Sequence, residues 1–277
     1  MESRLIKFSN MCITWLKNLF SSKPPVDYQR ANKVLVTNCI NDYPGDVNDL
    51  NGCLFDQSRV IGKLPDFQKR LLSDYQVTKK AFLESWEEAI TESISGDMIV
   101  FHYSGHGTQV KDKSGDETDG YDEALYLYDG VLIDDEINEV LQKIPEGVTV
   151  LILMDSCFSG GITRSKKGNP CIEKKSRFVR TEKKIYRKRR KSIARGNGEG
   201  LKWIVISGCG ENQTSADANF NGQWAGAFTT YAMATLDRRL TYREWFNEIR
   251  KYLPSTDFDQ APTLEGPDYL LDKLVLT

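Results

Sequence analysis

The sequence predicts an α/β protein with a mostly parallel central sheet and helices on both faces. Three observations carry that prediction. Two runs, Met98-Ile99-Val100-Phe101 and Val148-Thr149-Val150-Leu151-Ile152-Leu153-Met154, have the unbroken apolar, β-prone character of strands buried on both sides. Each run ends in a loop of small residues, Tyr103-Ser104-Gly105-His106-Gly107 and Asp155-Ser156-Cys157-Phe158-Ser159-Gly160-Gly161. Around them, strand patterns alternate with amphipathic helices, the arrangement that right-handed βαβ crossovers produce. A chain of 277 residues, 40% hydrophobic and 10% aromatic, can bury one core of this kind with appendages.

The elements follow in order. Residues 1–32 stand apart: Leu5, Ile6, Phe8, Met11, Ile13, Trp15, Leu16, Leu19 and Phe20 make a roughly helical apolar stripe that Ser21-Ser22-Lys23-Pro24-Pro25 ends. It reads as a surface-packed helix, a membrane-surface anchor or a partner-binding prodomain. It lacks the small-residue cleavage site of a signal peptide. Lys33–Ile40 is the first strand, and Asp49–Leu64 a helix with Cys53 and Asp56 near its start. A short strand near Phe67–Leu72 precedes an amphipathic helix over 78–90, with Thr78 as its cap. The His106 strand follows, then an acidic loop, a short strand at Ala124–Tyr128, and a helix at Asp134–Ile144 whose first-turn acids suit the helix dipole. After the Cys157 strand come a basic insert, a strand at Trp203–Ser207, helices near Gln223–Leu236 and Tyr242–Tyr252, and a tail. No internal repeat is present.

The chemistry concentrates where the two strands give way to their loops. Ligands bind at that carboxyl edge in open α/β sheets. Taken singly, a buried cysteine is an inert core residue and a histidine after a strand a structural one. Together at one edge they make a nucleophile and its base. Gly105 and Gly107 leave bare backbone beside His106, and Ser159, Gly160 and Gly161 do so past Cys157, so a substrate carbonyl could approach N–H groups closely. His102 competes with His106 for the role of base, but it lies inside the strand without flanking glycines. Asp155 shares a strand face with Cys157 and either lines the same mouth or caps a turn.

The motifs Tyr-Ser-Gly-His-Gly at 103–107 and Asp-Ser-Cys-Phe-Ser-Gly at 155–160 resemble those of metacaspases, caspase-like cysteine peptidases. Leu50-Asn51-Gly52-Cys53-Leu54-Phe55-Asp56 is similar to the family's first-helix motif. Ile206-Ser207-Gly208-Cys209 and Gln213-Thr214-Ser215-Ala216 resemble the opening of its small-subunit region. The resemblance runs from about Lys33 to the C-terminus and implies a caspase-like fold. It implies a His106–Cys157 dyad working through a thiolate–imidazolium pair, and an oxyanion hole formed by the N–H groups of Gly107 and Cys157. It places Cys53, Asp56, Ser104 and Asp155 in the pocket for the residue before the cut. Two carboxylates there would favour Arg or Lys and repel Asp. The implied parts are an N-terminal segment (1–32), a large-subunit-like region (33–163), a processing linker (164–200) and a small-subunit-like region (201–277). The implied setting is cytoplasmic, in regulated cell death, stress or defence.

Charge adds a second line of argument. Between Ile162 and Gly200 stand 15 Lys and Arg against 3 Glu, a local +12, while the whole chain is −2 and the remainder therefore −14. So low an apolar content predicts a segment that cannot order itself. It is a solvated loop, a binder of nucleic acid or acidic lipid, or a processing linker cut by the enzyme itself or by an upstream activating protease. A nucleic-acid-binding or scaffold protein on the same fold is the competing function. Residues 112–136 hold ten acids and one Lys. Hard oxygen donors at irregular spacing suit calcium, and the resemblance assigns it to Asp122, Asp134 and Asp135. The further acid such sites carry past the cysteine is missing, since 162–164 reads Ile-Thr-Arg. Six cysteines (12, 39, 53, 157, 171, 209) without paired spacing and only two histidines argue against a Cys/His zinc site. They suggest free thiols in a reducing compartment, and the absence of Cys-x-x-Cys disfavours a disulfide oxidoreductase. No apolar run is long enough to cross a bilayer.

Overall fold

The computed structural model describes residues 31–45, 48–111, 121–157, 172–179, 201–210 and 213–277. The N-terminal stripe, Asp112, Asp116, Glu117, Asp119, the loop after Cys157 and most of the basic insert lie outside the described residues. In chain order the elements are β1 (Lys33–Cys39), α1 (Cys53–Lys63), β2 (Gln68–Ser73), α2 (Lys79–Thr91), β3 (Met98–Ser104), β4 (Gly107–Lys111), β5 (Tyr121–Leu127), β6 (Gly130–Ile133), α3 (Asp134–Leu141), β7 (Thr149–Asp155), β8 (Lys174–Ser176), β9 (Ile204–Ser207), β10 (Ala216–Phe220), β11 (Gln223–Gly226), α4 (Ala227–Thr235), α5 (Tyr242–Arg250), β12 (Thr263–Glu265) and α6 (Asp268–Leu271).

The central sheet runs β12-β9-β7-β3-β1-β2. All its pairs are parallel except β12 with β9, an antiparallel edge. Its two faces carry two cores, as the period-2 alternation of strand side chains requires. Ile99, Phe101 and Tyr103 of β3 pack with Val150 and Ile152 of β7 under α2 and α3, where Trp86 stacks on Phe101 at 3.9 Å. Met98, Val100, Leu151 and Leu153 face the other way, toward Val60 of α1, Phe228 of α4 and Trp245 of α5. Ser104 and Asp155 share that second parity, and they are register partners at the carboxyl end of the sheet. Parity alone therefore delivers both polar side chains to the mouth beneath α1 and α4. Two smaller antiparallel sheets, β4-β5-β6 and β11-β10-β8, flank this edge.

Several boundaries differ from expectation for local reasons. Helix α1 begins at Cys53 rather than Asp49, because the Asn51 N–H is taken by the Asp217 carboxylate (2.7 Å) and the Cys53 N–H by Asn41 Oδ1 (2.8 Å). The helix expected from Gln223 starts at Ala227. Asn221 and Gly222 both have positive φ (54° and 95°), and this turn folds 223–226 back as β11 against β10. Within the insert expected to stay unordered, 172–179 is ordered: β8 pairs antiparallel with β10, and Arg177 is fully buried. No helix among the described residues is long and apolar enough to cross a membrane.

Candidate active site

His106 follows β3 by two residues, between two glycines. Its backbone N–H donates to the Tyr43 hydroxyl (2.8 Å), and the Tyr103 hydroxyl donates to its carbonyl (2.9 Å). One ring nitrogen, Nε2, lies 2.6 Å from the Asn48 carbonyl, which fixes it as the N–H donor. The other, Nδ1, is buried and finds no hydrogen-bond partner among the described residues. Burial pushes the His106 pKa down to about 4, against the carbonyls of Asn48 and Arg177 that pull it up. The imidazole is therefore neutral at pH 7, with an acceptor nitrogen free. The imidazolium half of the expected ion pair is not the state this environment favours.

Cys157 is fully buried two residues beyond β7. Its Sγ accepts from the Ser215 N–H and faces the Ser215 carbonyl at 3.5 Å. A Cβ on Gly107 would lie 2.0 Å from the Cys157 carbonyl oxygen and 3.2 Å from its nitrogen, so only glycine lets these two loops meet. The two backbones expected to form the oxyanion hole thus lie against each other.

The competing histidine has another place. His102 is completely buried, 2.8 Å from Thr37 Oγ1 and 3.8 Å from Cys39 Sγ. Burial lowers its pKa to about 4 and raises that of the Cys39 thiol. This pair sits inside the sheet, with no bare backbone beside it.

The residues expected to line a pocket come together around a side chain of the protein itself. Arg177 occupies the centre. Its Nη1 donates to Ser104 Oγ (2.7 Å) and the Asp155 carbonyl (3.0 Å) and lies 3.1 Å from Asp155 Oδ1. Its Nη2 reaches Asp56 Oδ2 (2.8 Å) and Asp217 Oδ1 (3.1 Å). Nε alone finds no partner among the described residues. Burial acts against the guanidinium charge, and Asp155, Asp56 and Asp217 overcome it, holding its pKa above the usual value. Burial pushes Asp56 up to about 6 despite Arg177. Burial also raises the thiol of Cys53, whose neighbours are these same groups.

The carboxylates are held from behind. Asp155 Oδ2 accepts from the N–H and hydroxyl of Thr229 in the first turn of α4, and Oδ1 from the Ser215 hydroxyl. Asp155 therefore both caps a helix and faces the guanidinium, so the two readings of it are one arrangement. Asp56 accepts from Ser104 Oγ (2.8 Å) and the Gly226 N–H (2.9 Å). A Cβ at Gly226 would fall 2.2 Å from Asp155 Oδ2 and 2.7 Å from both Arg177 Nη1 and Asp56 Oδ2. Asp217, Ser215, Thr229 and Gly226 were missed in the sequence. The available signal was the spacing of Ser215, just before β10, and Asp217 on it, which puts both polar side chains on one side of an extended chain, and both are fully buried.

The main chain around Arg177 completes the arrangement. β8 adds an antiparallel strand to β10, with Ser176 opposite Ala216 and Lys175 opposite Asp217. The Arg177 N–H donates to the Ser215 carbonyl (3.1 Å). Its carbonyl accepts the Gly107 N–H (2.9 Å), and the Val179 N–H donates to the Gly107 carbonyl (3.0 Å). A peptide carbonyl thus rests on an N–H donor beside Cys157 and His106, with its side chain in an acidic well.

The acids assigned to calcium lie elsewhere. Asp122 is on β5, Asp134 and Asp135 open α3, and Asp122 and Asp134 are buried. Each has further polar or electrostatic interactions. Their carboxylate chemistry suits calcium, but no group of three or more His, Cys, Asp or Glu among the described residues is arranged to hold a metal ion. No step below is routed through a metal.

Comparison with known proteins gives the family and the fold. A caspase-domain family model matches residues 32–270. A protein of Schizosaccharomyces pombe named Metacaspase-1 is 34% identical over 232 residues, 68% of this chain and 53% of that protein. Metacaspase-1 of Arabidopsis thaliana is 34% identical over 175 residues, 60% of this chain and 46% of that protein. The chain thus spans about half the length of these relatives. Among solved structures, a Geobacter sulfurreducens protein superposes with TM-score 0.68 at 26% identity, covering 89% of this chain and 98% of that one. Caspase-1 of Spodoptera frugiperda superposes with TM-score 0.57 at 10% identity, covering 88% of each, a likeness of fold.

Proposed function

The chain belongs to the caspase-domain family, in its metacaspase group, and from that premise we propose that it is a cysteine endopeptidase cutting after Arg or Lys. We propose also that it cuts its own basic insert between Arg177 and Phe178. The observation that carries both is Arg177: its guanidinium is held by three buried carboxylates while its carbonyl accepts the Gly107 N–H.

Attack requires Cys157 Sγ to leave the Ser215 backbone and turn to the Arg177 carbonyl carbon. The thiol proton passes to neutral His106, and sulfur bonds to the carbonyl carbon. Negative charge builds on the oxygen that Gly107 already holds; one such donor is worth about 3–4 kcal/mol of barrier. His106 then gives its proton to the departing nitrogen of Phe178 as the C–N bond breaks. Water, losing a proton to His106, displaces sulfur from the acyl carbon, and the thiol is restored.

Arg is favoured over Lys because a planar fork can serve Ser104, Asp155, Asp56 and Asp217 at once, whereas one ammonium cannot. Stimulation by calcium through Asp122, Asp134 and Asp135 belongs to the same proposal. Heat on titration with calcium that an Asp-to-Asn triple variant lacks is the expected result, and no heat at millimolar calcium removes it. The central test is turnover of an Arg fluorogenic peptide, together with mass spectrometry of the incubated protein. Activity and a cut after Arg177 are expected, both lost in Cys157→Ala and His106→Ala. Activity surviving His106→Ala but lost in His102→Gln would reassign the base.

A further inference from the structure

The segment that presents Arg177 makes contacts beyond the acidic well, and these speak to what else the enzyme reads. Numbering backward from the cut, Arg177 is the first residue, Ser176 the second, Lys175 the third and Lys174 the fourth. Ser176 is exposed, and its hydroxyl accepts the Phe178 N–H (3.3 Å). Lys175 and Lys174 are half-buried, and each ammonium has its own receptor. Lys175 Nζ donates to the Asp49 carbonyl (3.0 Å) and Asn51 Oδ1 (3.3 Å) and lies 5.8 Å from the centre of the Trp224 ring. Lys174 Nζ donates to the Asp257 carbonyl and lies 4.8 Å from the centre of the Phe258 ring.

These are two unlike sites from different parts of the chain. Trp224 lies on β11, paired across from Asn219 of β10. Asp49 and Asn51 precede α1, and Asn51 is tied through its N–H to Asp217 of the acidic well. Phe258 is buried between Phe220 and Tyr231, at 5.6 and 6.3 Å, so its ring is fixed before any lysine arrives. Each site pairs carbonyl or amide oxygens, which accept but cannot donate, with an aromatic ring within the distance at which a cation is attracted. A neutral side chain would forgo both the hydrogen bonds to those oxygens and the attraction of the ring.

We propose that Trp224 with Asn51, and Phe258 with the Asp257 carbonyl, are specificity-determining subsites that select basic residues at the third and fourth positions before the cut. The preferred substrate is then a protein strand of the pattern basic-basic-x-Arg, added in extended form to β10 along the edge that β8 occupies here. Strand addition supplies sequence-independent main-chain bonds, and the pockets supply the choice. This inference rests on the reading of the well as the pocket for the residue before the cut. It goes further by naming two residues that make an isolated Arg a poor substrate.

The test uses the full-length protein and four fluorogenic peptides, Lys-Lys-Ser-Arg, Lys-Ala-Ser-Arg, Ala-Lys-Ser-Arg and Ala-Ala-Ser-Arg. A fifth carries norleucine at both outer positions, which keeps the stem and drops the ammonium. Each lysine is expected to raise kcat/KM about threefold to tenfold, and norleucine to behave like alanine. Trp224→Leu should erase the lysine-over-alanine ratio at the third position and keep it at the fourth. Phe258→Leu, which retains apolar bulk in a buried place, should do the reverse. Equal turnover of all five peptides by the unmodified protein overturns the inference while leaving Arg cleavage standing. Turnover of none of them overturns the proposed function instead. If norleucine equals lysine, the sites read stems rather than charge and the inference is again wrong.

Discussion

Replacing Arg177 by Gln removes the cation that three fully buried carboxylates share while preserving much of the side-chain length. Breaking one side of a buried, hydrogen-bonded ion pair costs about 3–5 kcal/mol. Here the segment can withdraw and let water into the well, so the cost appears as loss of the seated state. At about 1.4 kcal/mol per tenfold, the seated state should be disfavoured by roughly a hundredfold to a few thousandfold. Cleavage between positions 177 and 178 should fall in proportion, because the carbonyl reaches Gly107 only when β8 is paired with β10. Arg177→Lys should lie between, since a single ammonium meets one or two of the four acceptors that Nη1 and Nη2 share. The assay is the rate at which intact chain disappears, with the new C-terminus identified by intact-mass measurement. The reasoning is refuted if Arg177→Gln is still cut at 177–178 at the unmodified rate. It is equally refuted if the unmodified protein cuts only at other basic residues.

Three further outcomes are expected. Gly226→Ala should abolish turnover of Arg peptides while the protein keeps its folded circular dichroism spectrum, since the new methyl would press on the Asp155 and Asp56 carboxylates and on the guanidinium between them; an active Gly226→Ala enzyme would mean Arg binds elsewhere. Stability should fall on acidification. His102 and His106 have folded pKa values near 4 against 6.5 unfolded, so the unfolded chain binds more protons between those values and stability drops as pH falls through that window, by about 3 kcal/mol each. Asp56, raised from 3.8 to about 6, works the other way by about the same amount, leaving a net loss of about 3 kcal/mol between pH 7 and pH 4. Urea midpoints at those two pH values, in Cys157→Ala protein to prevent cutting, measure it, and a midpoint that rises in acid contradicts the assignment. Finally, seating of Arg177 needs ionised Asp56, whose pKa is about 6 with the guanidinium beside it and higher without it, so self-cleavage should already decline on acidification at pH 6 and above. A decline only near 4 would assign control to His106 instead.

The sheet was legible because β3 and β7 are unbroken apolar runs, and no other element type buries seven such residues in a row so compactly. The His106 and Cys157 loops were legible because glycine and serine cluster there, and close backbone approach demands small residues. Asp56, Ser104 and Asp155 followed from the family resemblance, and strand parity explains why two of them converge. Asp217 was hidden because its partners are 166 and 40 residues away, at Asn51 and Arg177. The hairpin at Asn221-Gly222 was readable in principle, but the apolar stretch of α4 immediately after it drew the helix boundary upstream. Arg177 was the hardest to see. One arginine among 15 basic residues carries no local mark, and only Ile172, Phe178 and Val179 signal that this stretch has apolar contacts to make.

The charge asymmetry acquires a physical meaning at Arg177. A well of Asp56, Asp155 and Asp217 with no cation would place three carboxylates within reach of one another in a dry site, where like charges force proton uptake. With one guanidinium the well still carries a net charge of −2. It therefore continues to attract cations beyond the one it holds, which fits Lys174 and Lys175 lying close by on the same strand. A segment carrying +12 is drawn to such a site whichever basic residue arrives first. Selection of Arg177 must then come from more than the pull of the well: the fixed sites that Lys174 and Lys175 fill, Ile172 against the second core and the β8–β10 ladder. Moving the Arg one residue along by inserting Ala after Ser176 preserves the charge and changes the register. If electrostatics alone chose the site, cutting would follow the Arg at an unchanged rate. If the ladder and the outer lysines choose it, cutting slows and moves, and the intact masses of the products tell these cases apart.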